Sequence, residues 1–232
     1  MKYLLLAILA GLSLSAQAAE IVYPPRAEIY YIPTLTISDK QFLQGDKNGK
    51  EVTVNGILRF PPKPVSQKIP VIFLVHGSSG MGPNVEYWSN HFLGEGYATF
   101  SLDGFTGRGL TVVGPNQALL GRLNLILDSY KAMEILAKHP RLDSSKFVMM
   151  GFSRGGQATL FASVERFNKQ WNKSGTVFAA HIPFLLRRWQ GASMLEVALP
   201  GRPAAGISIH RPDCPVLPWR NALLKIGLTD GS

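Results

Sequence analysis

The run Met149-Met150-Gly151-Phe152-Ser153-Arg154-Gly155-Gly156 constrains this chain more than any other. It follows a short apolar stretch over 146–150 and precedes a helical pattern over 154–167. It therefore reads as a strand that turns sharply into a helix with Ser153 at the tip. Gly151 and Gly155, two residues before and two after the serine, let strand and helix backbones approach closely. A serine on such a strained turn projects its hydroxyl from the edge of a sheet, where a nucleophile belongs. A chance glycine pattern would lack the strand and the helix around it.

The remaining segments supply a sheet for that turn. Strands are expected over 28–37, 51–60, 71–76, 97–102, 146–150 and 177–183. The second alternates, with Val52, Val54 and Ile57 separated by polar residues, as a half-exposed strand does. Val71-Ile72-Phe73-Leu74-Val75 is continuously apolar, as a strand covered on both faces should be. Helices are expected over 85–94, over 154–167, and over a long stretch 115–138. In the long one, Leu119, Leu123, Ile126, Tyr130 and Met133 recur on one face. Alternation of this kind predicts an α/β domain, a mainly parallel sheet with helices on both faces. The texture changes at 185, where prolines and arginines accumulate. Beyond it only 206–210 reads as a strand and 219–226 as a helix, and 185–203 has no fold reading.

A second loop carries chemistry. Val75-His76-Gly77-Ser78-Ser79-Gly80 follows the buried third strand and leaves backbone N–H groups unhindered at the carboxyl edge of the sheet. The N–H of Ser78, with that of Arg154, is the expected oxyanion hole. The plain alternative is a glycine turn. His76 is expected to brace this loop and not to serve as a base.

The first residues narrow the compartment. Lys2, the apolar stretch 4–14 and Ala16-Gln17-Ala18 form the three parts of a secretory signal. The expectation is a signal peptide over 1–18, a mature domain over 19–232, and a periplasmic or secreted location. No later apolar run reaches about 18 residues, so no membrane anchor is expected. The formal net charge of +9 is spread along the chain without a basic patch, which argues against a nucleic-acid partner. The one cysteine, Cys214, excludes an internal disulfide, and no His or Cys pair has metal-ligand spacing. No metal or other cofactor is expected.

Residues 70–184 resemble the dienelactone hydrolase-like branch of the α/β-hydrolases. The resemblance rests on Val75-His76-Gly77, on Leu102-Asp103-Gly104-Phe105 with Gly107-Arg108-Gly109, and on Gly151 to Gly156. It implies the α/β-hydrolase fold and hydrolysis of small carboxylic esters or lactones, with Ser153 where the family's namesake has cysteine. It also implies that Asp103 shapes the pocket floor. Chain order in this fold puts an acid after the nucleophile and a histidine after the acid. Asp213, following Gly206-Ile207-Ser208-Ile209-His210-Arg211-Pro212, is the candidate acid, ahead of Glu196, Glu165 and Asp230. A surface-turn aspartate is the alternative. No histidine follows Asp213, and His181 and His210 read as core and turn residues. The last strand and helix of the fold are thus expected to be missing, with 185–232 a divergent tail. The expected function is an exported serine hydrolase impaired by loss of its catalytic histidine. The rivals are a non-catalytic ligand-binding protein of the same fold and a truncated or frame-shifted inactive product.

Overall fold

The computed structural model describes residues 26–62, 67–189, 192–197 and 205–209, with side chains as far as 184. One sheet of eight strands organises them, in the order β1-β2-β4-β3-β5-β6-β7-β8. Its strands are β1 (Ala27–Thr36), β2 (Lys50–Arg59), β3 (Ile69–Val75), β4 (Ala98–Asp103), β5 (Leu142–Phe152), β6 (Ala180–Trp189), β7 (Ala192–Val197) and β8 (Ala205–Ile209). The central four, β4, β3, β5 and β6, are parallel, and β1 and β2 form an antiparallel ribbon on the β4 side. This is the α/β-hydrolase arrangement. β3 sits between β4 and β5, so β4 and β5 are not neighbours and the carboxyl ends of β3 and β5 lie side by side. That juxtaposition brings the His76 loop to the serine turn.

The continuous apolar run of β3 is used on both faces. Val71, Phe73 and Val75 pack with the larger core cluster, while Ile72 and Leu74 belong to the second cluster. α3 (Asn124–Leu136), α4 (Arg154–Ala162) and α5 (Glu165–Trp171) cover the first face. Among the described residues, α2 (Pro83–Gly94) covers the other, through Val85 and Phe92. Nearly all of the β3 side chains are fully buried, which is why no polar residue interrupts the strand.

Several sequence expectations need correction. The long helix begins at Asn124, not near 115. Asn116 instead caps a short 3-10 turn, Gln117–Leu119, by accepting from the Ala118 N–H at 3.1 Å. Leu119, expected on the apolar face, is 53% exposed. Asn124 then ties the true helix start to the sheet. Its side chain accepts from the Ile37 N–H at 3.0 Å and donates to the Ile37 carbonyl at 2.7 Å. The helix expected over 154–167 is two helices, interrupted at Ser163 and Val164. β5 starts at Leu142 and β6 runs on to Trp189, both longer than their apolar cores implied. α1 (Asp39–Gln44) was not anticipated, although Ser38 and Gln41 form a capping box that marks it. Beyond β6, the unread segment 185–203 contains the hairpin strand β7, and β8 coincides with the strand expected at 206–210. β7 and β8 each pair antiparallel with their neighbour, so the parallel succession ends at β6 among the described residues. The expected signal segment over 1–18 and the helix over 219–226 lie outside the described residues.

His181 is a core residue of β6 with an energetic signature. It is 3% exposed, its ring lies edge-on to Phe178, and neither ring nitrogen has a hydrogen-bond partner. The Ala162 carbonyl, which accepts from the Tyr130 hydroxyl, is close enough only to offset part of the burial effect. Burial pushes the His181 pKa down to about 4. The folded state therefore resists protonation, while the unfolded chain takes up a proton near pH 6.5. Stability is complete above about pH 6.5 and falls as the pH drops toward 4, by about 3 kcal/mol from this group. His181→Leu should remove that share of the loss. Urea unfolding at pH 7 and pH 4.5 checks it. The variant is expected to equal or exceed the parent at pH 7 and to lose about 2 kcal/mol less on acidification. An equal loss in both proteins would refute the assignment.

Candidate active site

Three backbone contacts force the turn at Ser153. A methyl group at Gly151 would sit 2.1 Å from the Gly155 carbonyl oxygen. One at Gly155 would sit 2.2 Å from the Val75 carbonyl oxygen, and one at Gly156 would sit 2.6 Å from that of Phe184. All three glycines are needed because α4 crosses directly over β5, β3 and β6 without side chains between. To make that crossing the chain reverses within one residue. Ser153 takes φ 52° and ψ −108°, and among the described residues it is the one non-glycine with positive φ. Its N–H donates to the Phe184 carbonyl at 2.7 Å, and its carbonyl accepts from the Gln157 N–H at 2.9 Å. The turn is thus pinned to β6 on one side and to its own helix on the other. Its hydroxyl has no hydrogen-bond partner among the described residues, and the residue is partly exposed.

The His76 loop lies against this turn. A side chain at Gly77 would come 3.3 Å from Ser153 Cβ. The Gly80 N–H donates to the Gly77 carbonyl at 3.1 Å, closing a tight turn with Ser78 and Ser79 at its corners. The Ser78 carbonyl accepts from the Val113 N–H at 2.8 Å. Neither the Ser78 N–H nor the Arg154 N–H donates to another group among the described residues. For Arg154 this follows from its place in the first turn of α4, where N–H groups lack intrahelical acceptors. Ser78 thus follows the residue that abuts Ser153, and Arg154 opens the helix that follows it.

The Arg154 side chain does something the sequence did not reveal. It is 3% exposed, and it donates to Gln117 Oε1 at 2.7 Å and to the Leu120 carbonyl. Gln117 Oε1 also accepts from Ser78 Oγ at 3.1 Å. The guanidinium thus fastens the 3-10 turn to both loops of the site. Burial lowers its proton affinity, Arg122 adds to that, and Asp39 opposes it. Only the i+37 spacing of a glutamine links these residues, and no sequence pattern signals such a contact.

The described histidines are all committed elsewhere. His76 is fully buried, accepts from the Gly104 N–H on Nε2 at 3.1 Å and donates from Nδ1 to the Gly77 carbonyl at 2.8 Å. An Nε2 that accepts carries no proton, so the ring is the neutral Nδ1–H tautomer. Burial pushes its pKa down. His181 pairs in register with Met149, four residues and roughly 13 Å along the strand from Ser153. His139 lies 3.4 Å from Glu28 at the amino end of the sheet, and His91 stacks on Tyr87 near the end of α2. Among carboxylates, Asp103 accepts from the Phe105 and Thr106 N–H groups at 2.9 and 3.0 Å and so caps the turn after β4. Glu165 pairs with Lys169 on α5. β8 runs in the direction of β6, so its carboxyl end lies on the same edge of the sheet as Ser153. Asp213 and His210 lie outside the described residues. Among the described residues no cluster of three or more His, Cys, Asp or Glu could hold a metal ion, and no helix is long and apolar enough to cross a membrane.

No protein-family model matches the chain, and no curated protein matches it significantly. Solved structures similar to it include a dienelactone hydrolase-like promiscuous phosphotriesterase from metagenomic libraries, with 14% identity and a TM-score of 0.40. That match covers 59% of this chain and 54% of the other. A putative dienelactone hydrolase from Klebsiella pneumoniae has 16% identity and a TM-score of 0.40, over 59% of this chain and 55% of its own. An α/β hydrolase from Penicillium has 18% identity and a TM-score of 0.41, over 62% and 43%. The chain thus spans about half the length of the first structures it matches.

The glycine contacts lead to a direct test. Gly155→Ala places a carbon against the Val75 carbonyl and should destabilise the fold by about 3 kcal/mol or more, the range for strained or overpacked core positions. Gly94→Ala, in α2, meets nothing within 4 Å and serves as the control. Thermal unfolding of both should show a large loss for the first and little or no loss for the second. A Gly155→Ala protein as stable as the parent would contradict the close crossing.

Proposed function

We propose that this chain is a serine hydrolase of carboxylic esters or lactones, of the dienelactone hydrolase-like type, with Ser153 as nucleophile. The observation that carries the reading is the backbone of Ser153. A non-glycine residue at positive φ is costly, and a fold maintains one where its side chain is needed at that place. Ser153 Oγ would attack the acyl carbon, and the N–H groups of Arg154 and Ser78 would hold the oxygen that becomes negative. The alcohol leaves with a proton, and water then releases the acid from the acyl-serine. Asp213 is the proposed acid. The start of the chain supports export, with cleavage after Ala18 and a periplasmic or secreted site of action. The proposed substrate is a small uncharged or weakly charged ester, with no nucleic acid and no membrane anchor involved.

The weak point in this chemistry is the base. A serine hydroxyl is a poor nucleophile near neutral pH without one, and all four described histidines are bonded or buried away from Ser153. That observation favours a second reading, a ligand-binding protein that keeps the fold and the oxyanion loop without turnover. His210, outside the described residues, is the remaining histidine.

Hydrolysis of p-nitrophenyl acetate by the purified chain tests both readings. Turnover is expected roughly 10⁴- to 10⁶-fold below that of an intact triad, as triad knockouts behave, and Ser153→Ala should abolish what remains. Robust turnover lost in His210→Ala would identify the base and refute the impaired reading. Turnover unaffected by Ser153→Ala would refute the nucleophile itself.

A further inference from the structure

A buried ion pair is wired to the loop beside Ser153. Asp128 on α3 and Arg108, which follows β4, are both almost wholly buried and meet through two contacts, Nη1 to Oδ2 at 2.7 Å and Nη2 to Oδ1 at 2.9 Å. The other three guanidinium N–H groups are also placed. They reach Thr36 Oγ1 at 2.9 Å, the Leu35 carbonyl at 3.0 Å and the Gly104 carbonyl at 2.6 Å. Thr34 Oγ1 completes the carboxylate at 3.0 Å. Burying two charges is expensive, and an apolar pair is often at least as stable. What an apolar pair could not do is orient the Gly104 peptide.

That peptide has two ends in use. Its carbonyl accepts from Arg108, and the Gly104 N–H donates to His76 Nε2 at 3.1 Å. His76 must then donate from Nδ1 to the Gly77 carbonyl, 2.8 Å away. Gly77 abuts Ser153, and its carbonyl closes the turn that carries Ser78. A methyl group at Gly104 would sit 2.3 Å from Leu125 Cδ2, so that side chain would have to move to admit one.

We infer that Arg108 and Asp128 are positioning residues for the oxyanion loop. They fix the Gly104 peptide, the Gly104 N–H fixes the His76 tautomer, and that tautomer fixes the Gly77 turn beside Ser153. The inference rests on the proposed role of Ser153 for its catalytic meaning, but its structural part stands apart from it.

The test uses the full chain and three variants. Asp128→Asn keeps shape without charge, Arg108→Lys keeps charge without the fork, and Thr34→Val removes one hydrogen bond as the mildest change. Imidazole nitrogen spectra of His76 should show the pure Nδ1–H form in the parent and a tautomer mixture in the first two variants. Exchange of the Gly104 amide should quicken at least 10-fold in those two and less in Thr34→Val, while the amides of 71–75 stay as protected as before. Sulfonylation of Ser153 by phenylmethylsulfonyl fluoride should slow about 10-fold or more at saturation, with its half-saturating concentration unchanged. An Nε2–H form of His76 in the parent would overturn the inference. So would an unmixed tautomer with intact Gly104 protection in the variants. If the tautomer shifts as expected but Ser153 in the parent never reacts, the positioning stands and the nucleophile reading fails.

Discussion

Everything at the candidate site depends on backbone meeting backbone where α4 crosses the sheet. Gly151, Gly155 and Gly156 leave no side chain between the helix and the carbonyls of β3, β5 and β6. At that separation the chain cannot pass from strand to helix through ordinary dihedrals, and Ser153 absorbs the misfit at φ 52°. Holding a non-glycine residue there costs on the order of 1–3 kcal/mol. The surrounding core, with β3 and β5 buried on both faces, is large enough to over-determine it. The same crossing sets the Arg154 N–H at the head of a helix, without an acceptor, beside the turn. The strained backbone of Ser153 and the placement of the Arg154 N–H are therefore two consequences of a single steric fact.

A second layer of the site is polar and lies deeper. His76, Gly104, Arg108 and Asp128 satisfy one another in sequence, and Arg154 with Gln117 ties the loops together from the other side. In a low-dielectric interior such networks are rigid when complete and costly when broken. Here they also settle which histidine is unavailable. A ring that must accept on Nε2 and donate from Nδ1 has both nitrogens in use, so His76 braces the Gly77 turn.

Much of this was legible in the sequence, and what was not has physical reasons. The glycine spacing around Ser153 and the continuous apolar run of β3 are local signals, and both elements form where they imply. The helix expected from 115 failed because Leu119 and Leu123 keep helical spacing while Asn116 and Gly121 break the chain. Gly121 is tight because a methyl group there would sit 2.8 Å from the Ile37 carbonyl. The split between α4 and α5 hides in Ser163-Val164, which carries neither proline nor glycine. α1 was legible through its capping box and was missed. The Arg154–Gln117 and Arg108–Asp128 contacts are long-range and leave no mark on local pattern. Asp213, the candidate acid, is signalled by chain order and not by a local pattern, and it lies outside the described residues.

The central claim is that the strained turn singles out Ser153 chemically. Incubation of the purified chain with a fluorophosphonate probe, followed by peptide mapping, measures this most directly. Attack by Ser153 Oγ releases fluoride and leaves a stable phosphonyl ester on that residue. The account predicts slow, stoichiometric modification confined to Ser153, with Ser78, Ser79 and the surface serines untouched. No adduct at Ser153, or adducts spread among several serines at similar rates, would contradict it.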